Sequence, residues 1–155
     1  WGALPTKSNS DPMKSVTRIT VHHTHEIPGM MERSDSEIIK AIARYHRNTL
    51  QWADIGYHYL IGRDGRVYEG RPVAFQGAHA RGINNINNLG IAVIGDFNHN
   101  LPKPIQLQAL EQFLDGMKAK YRVPSNRIYG HYQFVNTECP GKALKGWLTR
   151  YAAKS

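Results

Sequence analysis

The chain has 155 residues and a formal net charge of +8, because 20 Lys and Arg residues outnumber 12 Asp and Glu residues. This length favours one domain, and the hydrophobic fraction of 41% excludes a largely disordered chain. No apolar run approaches the roughly 20 residues that cross a bilayer, which excludes a transmembrane protein. The only cysteine, Cys139, excludes an intrachain disulfide. The chain begins at Trp1 without a signal-peptide pattern, which indicates a trimmed or processed chain.

The first part of the chain divides into an arm and the start of a folded domain. Residues 1–15 mix Gly, Pro, Ser and Lys without periodicity and are predicted to form an arm, with the domain over 16–155. Alternating β-branched residues predict a strand over 18–24. A capping box at 34–37 and apolar residues at helical spacing then predict a helix over 35–48.

The middle of the chain has the pattern of a β-hairpin followed by a buried strand. Apolar and aromatic runs at 57–61 and 66–69 flank Gly-Arg-Asp-Gly at 62–65, which is typical of a hairpin turn. The unbroken apolar run at 90–95 predicts a central strand that is buried on both faces of the sheet.

The last third of the chain is predicted to be mainly helical. Apolar residues three and four apart predict a helix over 106–121, which Pro124 ends. A short strand over 127–130 and an amphipathic C-terminal helix over 143–151 follow. Together these elements predict one α/β domain in which several strands form a sheet packed by about three helices.

The chemistry of the chain centres on its cysteine. His131 lies eight residues before Cys139, which a Pro-Gly pair fixes in a loop, and thiolate and imidazole are preferred zinc ligands. A third ligand is expected from the adjacent pair His22 and His23, of which only one can face a shared ion on a strand. Three protein ligands are typical of catalytic zinc. The residues alone leave another reading open, in which Cys139 is a nucleophile and His131 its base.

Five segments then resemble one known family and occur in that family's order. They are Val-His-His-Thr at 21–24, the long segment at 52–71, Gly-Ala-His-Ala at 77–80, the strand segment at 89–97, and Gly-His at 130–131 with Thr-Glu-Cys-Pro-Gly at 137–141. The chain is similar in these segments to the zinc-dependent N-acetylmuramoyl-L-alanine amidases and their relatives, the peptidoglycan recognition proteins. The resemblance covers nearly the whole predicted domain.

The resemblance implies a fold, a metal and a reaction. The fold is a mixed central sheet flanked by about three helices, with zinc at the floor of a surface groove. One Zn²⁺ per chain is assigned to His22, His131 and Cys139, since the first histidine of the His-His-Thr segment is the ligand in this family. The reaction is hydrolysis of the amide bond between N-acetylmuramic acid and the L-alanine of the stem peptide. Tyr57 and Thr137 match positions that orient the attacking water or stabilise the oxyanion.

The remaining polar residues near these segments fall into two groups. His79 matches a groove position and is predicted to bind substrate, together with the loop residues that follow it, Arg81, Asn84 and Asn85. The other histidines are predicted to lie away from the substrate. Strand alternation turns His23 and His58 away from the site, and His25, His46 and His99 are expected at the surface.

Two functions from different classes remain, an amidase and a module that binds peptidoglycan without cleaving it. Non-cleaving relatives typically lose the cysteine ligand or the tyrosine, so the presence of Cys139 and Tyr57 favours hydrolysis. A nucleic-acid partner is not expected, because only the net charge points to one and no nucleic-acid motif accompanies it. We expect a monomer that binds muramyl peptides of peptidoglycan, and also anionic cell-wall polymers. The expected place of action is the cell wall, reached by secretion, in the periplasm or by phage delivery.

Overall fold

A computed structural model describes residues 1–154 and contains one five-stranded mixed sheet. The strands lie in the order β3-β2-β4-β1-β5. This arrangement confirms the predicted fold class, a mixed central sheet flanked by three helices. The strands are β1 (Arg18–His23), β2 (Tyr59–Ile61), β3 (Val67–Glu69), β4 (Asn88–Val93) and β5 (Ile128–Gly130).

Four of the five strands, β2, β4, β1 and β5, run parallel to one another. β1 pairs in parallel with β4 on one side and with β5 on the other, while β2 and β3 form the predicted antiparallel hairpin. All six residues of β4 are buried, as the unbroken apolar run predicted. Because the carboxyl ends of β1 and β5 meet at one edge, the residues that end these strands are brought together there.

Each face of the sheet has its own hydrophobic core. On one face, Leu110 and Leu144 from two helices pack with Ile91 of β4. On the other face, Ile39 packs with Ala92, the next residue of the same strand. The period of two along a strand explains this division between the faces. The helices are α1 (Asp35–Arg44), α2 (Pro104–Tyr121) and α3 (Lys142–Ala152).

The first helix differs from its predicted extent at the carboxyl end. Its start is as expected, since Ser34 and Glu37 form the reciprocal capping box. The α-helix stops at Arg44, and a π-helical turn over Tyr45–Thr49 replaces the predicted last turn. In this wider turn the N–H of Leu50 donates to the carbonyl of Tyr45 at 3.1 Å.

The first fifteen residues lie across the folded body of the protein. Thr6 donates a hydrogen bond to a carboxylate oxygen of Asp54 at 2.7 Å, and Pro12 forms an isolated antiparallel bridge with Phe75. Met13 is buried and belongs to the core under α2 and α3. Over residues 1–154, no helix combines the length and the apolar character needed to cross a membrane.

Candidate metal centre

Three donor atoms meet at the carboxyl edge of the parallel strands. They belong to His22 of β1, His131 immediately after β5, and Cys139, and all lie within 4.8 Å of one another. The pairing of Val21 with Gly130 brings the two histidines side by side, with ring centroids 4.5 Å apart. Cys139 Sγ lies 3.5 Å from Nδ1 of His22. The structure therefore brings together the three residues that the sequence proposed as ligands.

The protonation states of this cluster suit a cation. Burial lowers the pKa of His22 well below 6.5 and also lowers the pKa of His131, so both rings are neutral at pH 7 and each keeps a free lone pair. Within residues 1–154, the buried Nε2 atom of His131 has no hydrogen-bond partner. Burial raises the pKa of the Cys139 thiol to about 12, so a metal ion would displace its proton on binding. An uncharged pocket with an unpaired nitrogen and a thiol fits zinc.

The same observations argue against Cys139 as a nucleophile. A reactive cysteine needs a lowered pKa and access to its substrate. Cys139 is only 3% exposed, and burial raises the pKa of its thiol. The neighbouring ring of His131 is neutral, so no imidazolium is present to stabilise a thiolate.

A second histidine-cysteine group shares the same sulfur but has the wrong tautomer for a metal. Donor atoms of His23, His25 and Cys139 also lie within 4.8 Å of one another. Nδ1 of His23 accepts the N–H of Phe97 at 3.1 Å, so its Nε2 atom carries the proton. A neutral His23 therefore has no lone pair left for a metal, and the group with His22 is the better site.

His79 supports His22 instead of lining an open groove. Its Nδ1 atom lies 2.9 Å from Nε2 of His22, and its own Nε2 atom lies 3.0 Å from the carbonyl oxygen of Asn88. The residue is only 6% exposed, and both ring nitrogens are engaged. The structure thus places the ring of His79, predicted to bind substrate, behind a metal ligand.

Tyr57 lies beside the cluster with its phenol protonated. The centroids of its ring and the His22 ring are 5.3 Å apart. Burial, together with the nearby Cys139, raises the pKa of Tyr57, so its hydroxyl is a hydrogen-bond donor throughout the physiological range. A cavity of about 480 Å³ opens next to this ring. Its lining includes Thr24, Ile27, Ile42, Tyr45 and His46.

Thr137 makes a local contact that leaves its proton free. Its Oγ1 atom accepts the backbone N–H of Cys139 at 3.2 Å, a short-range contact typical of a loop threonine. Because the hydroxyl uses a lone pair there, its O–H remains able to donate elsewhere. The side chain is partly exposed, two residues before the buried Cys139.

Of the three predicted substrate residues in the loop after His79, Asn85 is the one that holds the loop in place. Asn85 accepts the backbone N–H groups of His79 and Ala80, each at 2.8 Å, and so fixes the loop. Asn84 is half-buried and accepts a hydrogen bond from the side chain of Asn88 through its carbonyl. Arg81 is exposed, with a left-handed φ of 65°. Of the predicted substrate residues, Arg81 therefore has the most accessible side chain.

The other histidines largely lie where alternation and polarity predicted. His58 is buried, and its Nδ1 atom accepts the N–H of Gly90 at 2.9 Å. His25 and His99 are exposed, as expected. The surface assignment of His46 is wrong, because the residue is 9% exposed and its Nδ1 accepts a backbone N–H at 3.0 Å. The signal was present, since His46 follows the apolar Ile42 by four residues and extends the buried face of the helix.

Arg71 is a supporting residue that the sequence did not single out. It is 5% exposed, and its guanidinium donates to the carbonyls of Ile55, Asp54 and Gln76 at 2.7–2.9 Å. Its own backbone N–H donates to the carbonyl of Tyr57 at 2.8 Å. Arg71 therefore ties down the loop that carries Tyr57. A single arginine inside a motif gives no sequence signal for this role.

Comparison with known proteins places these features in context. A family model described as N-acetylmuramoyl-L-alanine amidase matches residues 12–142. The N-acetylmuramoyl-L-alanine amidase of Mus musculus is 33% identical over 149 residues, which are 93% of this chain but only 28% of that protein. Peptidoglycan-recognition protein SC2 of Drosophila simulans is 36% identical over 142 residues, 91% of this chain and 77% of that protein. A crystal structure of recognition proteins LCa and LCx with bound tracheal cytotoxin has a TM-score of 0.84 and 32% identity, covering 97% of this chain and 91% of that chain.

Proposed function

The chain belongs to the N-acetylmuramoyl-L-alanine amidase family, and on that premise we propose that it is a zinc-dependent hydrolase of peptidoglycan. The bond to be cleaved joins N-acetylmuramic acid to the L-alanine of the stem peptide. The observation that carries the proposal is the convergence of His22, His131 and Cys139 next to the protonated phenol of Tyr57. Since the chain spans less than a third of its mouse relative, the proposal concerns this domain alone.

The three donors would hold the metal in a site of suitable charge. When bound, zinc supplies a Lewis acid that activates water and polarises the carbonyl group of the substrate. Two neutral imidazoles and one thiolate balance only one of the two positive charges of the ion, so the site keeps a net charge of about +1. Cys139 would lose its proton on metal binding, whereas His22 and His131 are already neutral.

Tyr57 and Thr137 are the groups that would act on the substrate itself. The Tyr57 phenol keeps its proton and would donate a hydrogen bond to the carbonyl oxygen as that oxygen becomes negative. Thr137 still has an O–H to donate, because its contact with Cys139 uses only a lone pair. The cavity beside Tyr57 provides room for part of the muramyl peptide.

A binding module that does not cleave is the alternative function. Some relatives are named recognition proteins, and the LCa and LCx structure contains tracheal cytotoxin. Both functions share peptidoglycan as the ligand, and they differ in whether the site cleaves the bound peptidoglycan. The presence of all three donors together with Tyr57 favours hydrolysis.

The setting of the activity follows from its substrate. We infer that the domain over 16–155 works at the cell wall as a monomer, with the arm of residues 1–15 packed against it. The charge of +8 would help it to approach anionic wall polymers.

Product analysis tests the reaction directly. Purified peptidoglycan is incubated with the zinc-loaded protein, and soluble products are identified by mass spectrometry. We expect stem peptides that begin with a free L-alanine, and we expect neither metal nor products with Cys139→Ala. Activity that survives complete removal of zinc would contradict the metal mechanism. Zinc-loaded protein that binds muramyl peptide but releases no stem peptide would establish the binding module instead.

A pair of tyrosine variants isolates the role of the phenol. Tyr57→Phe keeps the ring and the three metal donors, so zinc content and fold should persist while kcat falls about 10²–10³-fold. Tyr59→Phe removes the same hydroxyl from a half-buried ring that packs on Phe113, away from the metal centre, and serves as the matched control. Near-parental kcat in Tyr57→Phe would assign Tyr57 a packing role only.

A further inference from the structure

We propose that His79 is a positioning residue, which fixes the tautomer and the orientation of His22 so that the Nδ1 lone pair of His22 points at the metal site. The proposal rests on the metal centre described above, but not on the reaction. In this role His79 does not contact substrate but belongs to a row of hydrogen bonds behind the metal ligand His22. This row runs from Asn88 through His79 to His22.

The direction of each hydrogen bond follows from the acceptor at the end of this row of hydrogen bonds, Asn88. The carbonyl oxygen of Asn88 can only accept, so the Nε2 atom of His79, 3.0 Å away, must carry a proton. Nδ1 of the neutral His79 ring then has a lone pair, which accepts the Nε2–H of His22 at 2.9 Å. With its proton on Nε2, His22 has its free lone pair on Nδ1. That atom is the one that lies 3.5 Å from Cys139 Sγ.

The ring of His79 is closely confined by its neighbours. A Cβ atom at Gly77 or at Gly90 would each lie 2.4 Å from Cδ2 of His79, so only glycine leaves room beside the ring at these two positions. The ring of His58 packs edge-on at a centroid distance of 5.7 Å. The ring therefore occupies a fitted slot, in which a methyl group added at either glycine would displace it.

Asn88, at the far end of this row of hydrogen bonds, is equally fixed. Asn88 is fully buried at the start of β4, where its backbone belongs to the sheet. Its side chain accepts a hydrogen bond from Thr20 at 2.9 Å and donates to the carbonyl of Asn84 at 2.8 Å. The orientation of His22 is thus set by rigid backbone at a distance of two hydrogen bonds. Hydrogen bonds of this kind tune metal ligands, and their loss typically costs about 10–100-fold in metal affinity.

The first test reads the tautomer of His22 without metal or substrate. Long-range ¹H–¹⁵N NMR spectra of the zinc-free protein identify which ring nitrogen carries the proton. We expect His22 to be protonated at Nε2 and His79 at Nε2. A His22 ring protonated at Nδ1 in the parent protein would overturn the proposal, and this result needs no variant that has to fold.

The second test measures zinc affinity by chelator competition. We expect His79→Ala to weaken zinc binding by about 10–100-fold, and His79→Gln, which still offers a donor and an acceptor, to recover part of the loss. His46→Gln, at a buried histidine that packs on Trp52 and accepts the backbone N–H of Gly56, away from His79, is the control and should bind zinc within about twofold of the parent. Parental zinc affinity in His79→Ala would overturn the proposal, and so would an equal loss in the control.

A kinetic comparison separates this role from the substrate contact that the sequence predicted. If His79 touched the muramyl peptide, His79→Gln would raise KM and leave zinc affinity unchanged, which would also overturn the proposal. The NMR and zinc measurements use no peptidoglycan. Failure of the protein to hydrolyse peptidoglycan would therefore contradict the proposed function without affecting this inference.

Discussion

Replacing Gly90 by alanine tests how tightly the support of the metal centre is packed. Gly90 lies inside β4 and does not have a positive φ, so alanine brings no backbone strain. The added Cβ atom would instead lie 2.4 Å from Cδ2 and 2.5 Å from Cγ of His79. Real Cβ contacts are not this short, so the imidazole ring has to move. Gly77 lies beside the same part of the ring, because a Cβ built there would also be 2.4 Å from Cδ2 of His79.

The expected loss of stability follows from the contacts that the ring would lose. Adding a methyl group to a well-packed site costs about 1–3 kcal/mol. A displaced His79 also loses its hydrogen bonds to His22 and Asn88, which contribute about 1 kcal/mol each. Gly90→Ala should therefore lower the free energy of unfolding by about 3–5 kcal/mol. For a domain of this length this corresponds to a fall in Tm of about 6–20 °C.

Urea unfolding of the zinc-free protein, followed by circular dichroism, measures this loss. Gly116→Ala is the matched control, because Gly116 lies within α2 and no heavy atom would come within 4 Å of its Cβ. Alanine there should raise the free energy of unfolding by up to about 1 kcal/mol, since it is the better helix former. Zinc affinity should fall in Gly90→Ala and stay unchanged in the control. A Gly90→Ala protein with parental stability and parental zinc affinity would refute the confinement of His79.

Three further outcomes follow from buried polar groups. Burial lowers the pKa of His46 and of His58 from 6.5 to about 4, so the unfolded chain binds more protons between these values. The free energy of unfolding of the zinc-free protein should thus reach its full value above about pH 6.5. It should fall towards pH 4 by up to about 1.4 kcal/mol per pH unit for each ring. Urea midpoints that do not change with pH would contradict this prediction. Arg71→Met should cost about 3–6 kcal/mol in urea unfolding because three carbonyls lose their donor, whereas the exposed Arg66→Met should change stability by less than about 0.5 kcal/mol. At pH 8 the Cys139 thiol, with its pKa of about 12, should react with iodoacetamide about 10³-fold more slowly in the folded zinc-free protein than in urea, and fast reaction would restore the nucleophile hypothesis.

Local patterns were sufficient for most of the secondary structure. Strand alternation, the unbroken apolar run of β4 and the capping box at Ser34 depend on neighbouring residues, so they can be read from the sequence. The π-helical turn over Tyr45–Thr49 could not be read in this way. Within this turn, His46 accepts the backbone N–H of Gly56, ten residues away, and no local pattern encodes that contact.

The metal donors were predicted from the sequence in a different way. The spacing of His131 and Cys139 suggested a site, and strand alternation required a choice between His22 and His23. Only the resemblance to the amidase family made that choice. In the structure the reason is geometric, because Val21 faces the core under α2 and α3 and the next residue, His22, therefore faces the opposite side of the sheet.

The sequence by itself thus determined which residue types are available and which strands and helices carry them. The tertiary structure alone decided which nitrogen of each histidine is free and which polar groups are buried. His79 and His22 are 57 positions apart, and their hydrogen bond exists only because β1 and β4 pair in one register and two glycines leave space for a ring. Tautomers and burial depend on such contacts between distant segments, and the order of residues along a chain does not specify them until the chain has packed.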